Sequence, residues 1–263
     1  MPDYAIVDRT KLDDAMRATA NAIREKQGNS LPMVWDEYTG FEIPVSAIKE
    51  DLSGDEALER TVVAFKNDRI TKLGAHALKG CADLVSVEIP SATAIGSEAL
   101  HSLDNLTTLD APKVETIGSN AAYYCRNLKN INLPSLKTTE PSAFRQICFW
   151  GNASFEFKSL TTLGQSTFYG SLSIKRLFFP VVTSIGEYAF YGCQKLEALV
   201  LGHSRPALAA ANAFDNSAIK SGGSGRIYIP KGEYNAFYTN ATNWSALPSS
   251  LFVEYENITE VPS

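Results

Sequence analysis

The sequence lacks several features that would place it in a common functional class. It has 24 Lys and Arg against 29 Asp and Glu, a formal net charge of −5, and so no basic surface of the kind that binds nucleic acid. It has no run of about 18 apolar residues that could cross a membrane. Its four cysteines form no Cys-x-x-Cys pair and have no histidine beside them. We therefore expect no metal, no cofactor, no nucleic-acid partner and no membrane insertion.

The motifs of common enzyme classes are also missing. Ser46 to Lys49 and Ser217 to Lys220 match Ser-x-x-Lys, but the companion motifs of that class are absent. The glycine-rich stretch 221–225 is followed by Arg226-Ile227 rather than by Lys-Ser or Lys-Thr, so it is not a phosphate-binding loop. The sequence predicts a protein that is not an enzyme.

A 22-residue repeat dominates the chain. An Ile-Gly or Leu-Gly step recurs with glycine spacings of 22, 22, 46 and 22, and Glu140 stands where one glycine is missing. A small-then-apolar pair follows each step, and a strand-like alternation such as Val87-Glu88-Ile89-Pro90 closes the unit. The repeat glycines are Gly74, Gly96, Gly118, Gly164 and Gly186.

This period predicts an α/β leucine-rich-repeat solenoid, a right-handed stack of about eight parallel strands. The alternation places one apolar residue per strand in a common buried stack. We expect the repeat glycines to adopt a positive φ, and the unit with Glu140-Pro141 to be irregular. The predicted stack is Val87, Leu109, Ile131, Phe155, Leu177, Leu199 and Ile227.

The repeat divides the chain into three parts. Residues 1–55 have apolar residues at helical spacing and predict a small helical module for attachment or oligomerisation. Residues 56–230 form the solenoid, whose first strand is predicted at Thr61 to Phe65. Residues 231–263 have lost the repeat phase and are rich in aromatic residues, which is typical of a C-terminal cap.

The pattern Ile-Gly-x-x-Ala-Phe-x-x-Cys-x-x-Leu-x-x-Leu-x-Leu at residues 185–201 resembles the BspA-like leucine-rich repeats of bacterial surface proteins. Residues 20–32 are similar to short segments in tail and fibre proteins of phages that infect Firmicutes. The two resemblances together imply a tail-associated virion protein, made in the host cytoplasm without a signal peptide, and a possible homotrimer. They imply adhesion and recognition rather than catalysis.

Three functional hypotheses follow. The first is non-enzymatic recognition in a phage tail, with a host cell-surface glycan or protein, or other tail proteins, as the partner. The second is a bacterial cell-surface adhesion protein. The third is a cell-wall glycosidase whose paired carboxylates would be Glu88 and Asp110 on adjacent strands.

The candidate site lies on the outward side of the predicted strands. Its aromatic half predicts a contact surface formed by Arg176, Phe178, Val200, Arg226 and Tyr228. The alternative is that the C-terminal cap or a neighbouring subunit covers these residues. Recognition would then use the turn side or the Ser221–Gly225 loop. Cys81, Cys125 and Cys193 share one repeat position and are predicted to be buried, reduced thiols.

Overall fold

A computed structural model describes residues 63–261, which form a solenoid of parallel strands. One turn of the solenoid, called a rung below, contains a longer strand, a two-residue strand and a tight turn. The strands in chain order are β1 (Val63–Lys66), β2 (Lys72–Leu73), β3 (Leu84–Glu88), β4 (Ala94–Ile95), β5 (Thr108–Asp110), β6 (Thr116–Ile117), β7 (Asn130–Asn132), β8 (Thr138–Thr139), β9 (Ala153–Glu156), β10 (Thr162–Leu163), β11 (Ile174–Phe179), β12 (Ser184–Ile185), β13 (Ala198–Leu201), β14 (Ala207–Leu208), β15 (Arg226–Pro230) and β16 (Phe252–Tyr255).

The longer strands stack in the predicted register. Val87 pairs with Leu109 and Leu109 with Ile131, and the same stack continues from Phe155 through Leu177 and Leu199 to Ile227. The parallel ladder of about 22-residue turns is therefore confirmed. The ladder is interrupted once, however, because β1-β3-β5-β7 and β9-β11-β13-β15-β16 are separate sheets. The two-residue strands form one continuous ladder from β2 to β14, which the sequence did not predict.

The interruption lies where the long repeat interval has its two extra residues. The irregular backbone is at Cys148 and Gly151, which have φ of 45° and 87°, and Trp150 between them is 60% exposed. Glu140 itself keeps the repeat pattern, because its N–H donates to the Ile117 carbonyl at 2.9 Å. The predicted irregularity of this unit is nevertheless confirmed, since Cys148 and Gly151 lie within it and the next repeat glycine, Gly164, donates its N–H to the Thr139 hydroxyl.

The tight turns repeat as regularly as the strands. The second and sixth residues after each repeat glycine are left-handed, as in Glu98 and Ser102, with φ of 56° and 61°. The turns also bond between rungs, as when the Leu100 N–H donates to the Ala121 carbonyl at 2.7 Å. Each rung is thus held to the next along three segments of backbone.

The repeat glycines are required by close approach and not by a positive φ. None of the repeat glycines is in the left-handed region, so the predicted reason for them was wrong. A Cβ on Gly96 would lie 2.6 Å from the Ala75 nitrogen, and a Cβ on Gly186 would lie 2.5 Å from the Gln165 nitrogen. Adjacent rungs pass too closely at these two glycines for a side chain, whereas Glu140 shows that one rung of the solenoid accommodates a side chain at this position.

The core changes character along the solenoid. The first rungs bury mainly Leu, Ile, Val and Ala, whereas later rungs stack phenylalanines, with ring centroids 5.3 Å apart between Phe190 and Phe214. Trp244 ends this stack, and its indole N–H donates to the Pro206 carbonyl at 2.6 Å. The buried phenylalanines in residues 63–261 are Phe144, Phe155, Phe157, Phe168, Phe179, Phe190, Phe214 and Phe237.

Short helical turns and one further strand close the C-terminal end. The turns are 3₁₀ segments at Ala211–Phe214, Trp244–Ala246, Ser249–Leu251 and Ile258–Glu260, and a π-helical turn at Ala236–Asn240. Strand β16 pairs with β15 and extends the longer-strand ladder by one. No helix in residues 63–261 is long and apolar enough to cross a membrane. The predicted helical module at 1–55 lies outside the described residues.

Candidate recognition surface

The outward side of the longer strands, called the strand face below, was the predicted site. In its first half each carboxylate is engaged by a neighbour. Glu88 lies 2.7 Å from the Lys66 ammonium, and Asp110 accepts a 2.7 Å hydrogen bond from the Asn132 amide. Glu88 and Asp110 do pair across adjacent strands, but the groove described below lies elsewhere. The pair therefore lacks the enclosed cleft that binds a sugar in glycosidases.

The second half of the strand face is covered by the C-terminal tail, residues 256–261. Val200 is fully buried against Val261, and Phe178 and Tyr228 pack half-buried around them. The Tyr255 hydroxyl, just before the tail, donates to the Leu201 carbonyl at 2.9 Å. The expectation that Val200 is exposed was wrong, because the chain folds back over it. The predicted alternative of a covering cap holds here.

The two arginines of the predicted surface are also engaged. Arg176 lies 3.3 Å from Glu156 and 5.7 Å from the centre of the Phe178 ring, and only 12% of its side chain is exposed. The Arg226 guanidinium donates to the Gly225 carbonyl at 2.8 Å. Binding of a partner by these residues stays a prediction. Their side chains already contact other parts of the same chain.

A second aromatic surface lies on the tight turns. We call it the turn-edge stripe: His101, Tyr123, Arg145, Tyr169 and Tyr191, one residue from each of five successive rungs. Each lies five residues after a repeat glycine or, for Arg145, after Glu140. Residues at equal offsets stack because successive rungs are about 4.8 Å apart. Sequence reasoning missed this stripe, although the equal offsets were visible in the repeat alignment.

The side chains of the turn-edge stripe form a stack of rings and guanidinium groups. The Arg145 guanidinium carbon lies 4.2 Å from the centre of the Tyr169 ring and 5.4 Å from that of Tyr123. The Tyr169 and Tyr191 rings are parallel at 4.5 Å, and the His101 ring meets Tyr123 edge-on at 5.1 Å. The rings therefore expose mainly their edges and hydroxyl groups to solvent.

Two neighbouring residues extend the stack. Tyr124 stacks on Tyr123 at 4.0 Å, and Arg126 lies over the Tyr124 ring at 4.8 Å. Two guanidinium groups thus lie on either side of a tyrosine pair, and none of the five stripe residues is acidic. In a chain with a net charge of −5, this is a locally basic and aromatic surface.

Burial sets the protonation of the first residues in the stripe. It raises the pKa of Tyr123, so the phenol stays a hydrogen-bond donor at neutral pH. Burial, and then the nearby Lys79 charge, lower the pKa of His101, so its imidazole is neutral at pH 7. The hydrogen bond from Lys79 lowers the pKa of Glu98, so that carboxylate is ionised and paired with Lys79 at neutral pH.

A shallow groove of about 540 Å³ lies at the C-terminal end of the stripe. Its walls combine Tyr169 and Tyr191 with the polar side chains of Gln194, Asn216 and Ser221. The Asn216 amide donates to the Tyr191 hydroxyl at 2.5 Å. The groove thus joins the turn side to the Ser221–Gly225 loop, the two places predicted as alternatives to the strand face.

The cysteines have a structural role. The Cys125 thiol donates to the Leu100 carbonyl at 3.0 Å, and the Cys193 thiol donates to the Phe168 carbonyl at 3.2 Å. Burial raises the pKa of Cys125 to about 12 and that of Cys148 to about 11, and it also raises the pKa of Cys193. Cys81 is half-buried, so the prediction that it is buried was wrong. None of the four cysteines is in a disulfide, and no group of three potential metal ligands occurs in residues 63–261.

Comparison with known proteins identifies the repeat. Two overlapping stretches, residues 60–175 and 161–252, match the model of the BspA type leucine rich repeat region. No curated protein matches the chain.

Two solved structures share the fold. One is a leucine rich cell surface protein from Faecalibacterium prausnitzii, 21% identical, with a TM-score of 0.51 over 64% of this chain and 49% of that one. The other is a leucine-rich repeat protein from Bacteroides ovatus, 19% identical, with a TM-score of 0.53 over 66% of this chain and 49% of that one. This chain therefore covers about half the length of either protein.

Proposed function

Because the chain belongs to the BspA-type leucine-rich repeat family, we propose that its solenoid is a non-enzymatic recognition module that acts in adhesion at a cell surface. The turn-edge stripe carries this proposal. It combines tyrosine and arginine, which dominate binding energies at interfaces, in half-buried positions on successive turns. The strand face offers the same residue types beneath its own C-terminal tail.

The likeness to a cell surface protein from Faecalibacterium prausnitzii favours this location over a phage tail. The phage hypothesis depends on residues 20–32, which lie outside the described residues. The glycosidase hypothesis is the weakest, since Glu88 and Asp110 are engaged by Lys66 and Asn132 on an open sheet.

Binding of the labelled full chain to intact bacterial and epithelial cells, measured by flow cytometry, tests the proposal. We expect saturable binding to at least one cell type. The double variant Tyr169→Ser, Tyr191→Ser should lower its affinity by about tenfold or more, because interface tyrosines commonly contribute 1–2 kcal/mol each.

The matched control is Phe178→Ser, Tyr228→Ser, which removes two aromatic rings from the strand face. We expect this control to bind as the wild type does, provided that circular dichroism shows it folded. Loss of binding in the control, with normal binding by the stripe variant, would assign recognition to the strand face. Absence of saturable binding to any cell would contradict adhesion.

A further inference from the structure

Taking the proposed function as its premise, we propose that the turn-edge stripe selects an acidic glycan, a linear polysaccharide whose carboxylate is bound by Arg145. The proposal goes beyond adhesion in naming the ligand class and the residue that selects it. Four features of the turn edge support it: an uncompensated guanidinium, its rigid placement, the surrounding polar groups and the scarcity of exposed apolar surface.

Arg145 has no acidic partner in the described part of the chain. Its Nε is buried and makes no hydrogen bond there, and neither does the adjacent Gln146 Oε1. Arg205, by contrast, is paired with Glu233 at 2.6 Å and Arg126 more loosely with Asp104 at 3.9 Å. Arg145 is half-buried, so the N–H groups of its guanidinium other than Nε are the ones that can bind an external anion.

Stacking fixes the Arg145 guanidinium in place. With Tyr123 over one side and Tyr169 over the other, its N–H groups are available only around its rim. A guanidinium held in this way loses little conformational entropy when it binds a carboxylate through two parallel hydrogen bonds.

The surroundings of Arg145 suit a sugar polymer. The groove beyond Tyr169 offers amide and hydroxyl groups from Gln194, Asn216 and Ser221, which can pair with sugar hydroxyls. On the other side, the Phe149 N–H donates to the Arg126 carbonyl at 2.8 Å, which places the exposed Trp150 in the next rung. An exposed indole offers a flat apolar face on which a sugar ring can stack.

A protein partner fits this edge less well. Specific protein interfaces need a buried apolar centre within about 800 Å² per partner. The large apolar side chains exposed in residues 63–261 are Trp150, Val181 and Ile258, and only Trp150 lies near the stripe. The edge therefore offers little of the aliphatic surface found at the centre of large protein interfaces, whereas its in-register repetition suits a linear polymer of repeating units.

Affinity electrophoresis of the full chain tests the proposal with four polymers: polygalacturonate, neutral dextran, dextran sulfate and polyglutamate. We expect retardation by polygalacturonate that weakens with added salt, and none by dextran. Arg145→Gln should weaken binding to polygalacturonate about tenfold, because the charge-assisted hydrogen bonds to the carboxylate are lost. Arg145→Lys should recover part of the affinity, and Arg205→Gln, the control, should bind as the wild type does.

The outcomes separate this proposal from the proposed function. Equal retardation by dextran, or by polyglutamate, would overturn the acidic-glycan proposal, since sugar and charge would not both be needed. Stronger retardation by dextran sulfate than by polygalacturonate would show that the site does not select a carboxylate. If polygalacturonate fails to compete with cell binding that still depends on Tyr169 and Tyr191, the ligand class is wrong and the adhesion function stands. If cell binding does not depend on those tyrosines, the proposed function itself fails.

Discussion

The strand face and the turn edge of the solenoid are built from the same rungs, and both carry aromatic and arginine side chains. On the strand face, Val261 covers Val200 and Ala198, and Arg176 is paired with Glu156. On the turn edge, Arg145 is half-buried between Tyr123 and Tyr169, and the described chain supplies no acidic partner for it. Identical residue types therefore serve stability on one surface and are available for recognition on the other.

The difference shows what a repeat pattern can and cannot reveal. A repeat fixes which side chains share a surface, because equal offsets stack in register. It gives no information about a segment that has left the repeat phase. The C-terminal tail is such a segment, and it decides which of the two aromatic surfaces is free.

The largest expected effect comes from the core that both surfaces share. Leu177 is fully buried on β11, an inner strand of the five-stranded sheet. Leu177→Ala should lower the free energy of unfolding by about 2–5 kcal/mol, because neighbouring rungs cannot fill the space. Urea unfolding followed by circular dichroism measures this, with Val181→Ala, at a side chain 40% exposed, as the control. A loss below about 1 kcal/mol would contradict a shared, tightly packed core.

A smaller effect tests whether the strand face is part of the interior. Val200→Ser places a hydroxyl under Val261 and should lower the free energy of unfolding by about 1–3 kcal/mol. The same exchange at the exposed Val181 should change it by about 0.5 kcal/mol or less. Equal effects at the two valines, measured by urea unfolding, would mean that the tail does not cover the strand face.

The smallest expected effect is measured by alkylation of the cysteines, which leaves the fold intact. It reports only how deeply each thiol is buried. With iodoacetamide at pH 8, the half-buried Cys81 should react first, while Cys125 and Cys148 react slowly because their pKa values are raised by burial to about 12 and 11. Mass spectrometry at successive times gives the order. Fast labelling of Cys125 in the native chain would show that its repeat position is not buried.

Much of the fold could be predicted from the sequence. The 22-residue period and the alternation around Val87 and Leu177 were sufficient for the ladder and for its register. The role of Gly96 was not predictable from residue type, since a close approach between rungs and a positive φ both require glycine. The position of the break after β7 could not be predicted either. The length of the repeat interval shows that there are two extra residues, but it does not show where in the turn of the solenoid they lie.

The candidate site was harder to predict. The equal offsets of Tyr123, Arg145 and Tyr169 after the repeat glycines were visible, and a search of every repeat position would have found them. The burial of Val200 was not visible, since Val261 reaches it through a tail without repeat phase. Tertiary contacts of this kind decide exposure, and local patterns do not encode them.

The most direct test of the central claim, that the tail closes the strand face and leaves the turn edge open, is hydroxyl-radical footprinting. It compares the full chain with a chain that ends at Asn257 and so lacks Val261. We predict that labelling of Phe178 and Tyr228 rises several-fold in the shortened chain, while labelling of Tyr169 and Tyr191 stays the same. Unchanged labelling of Phe178 and Tyr228, or an equal rise at all four residues, would contradict the claim.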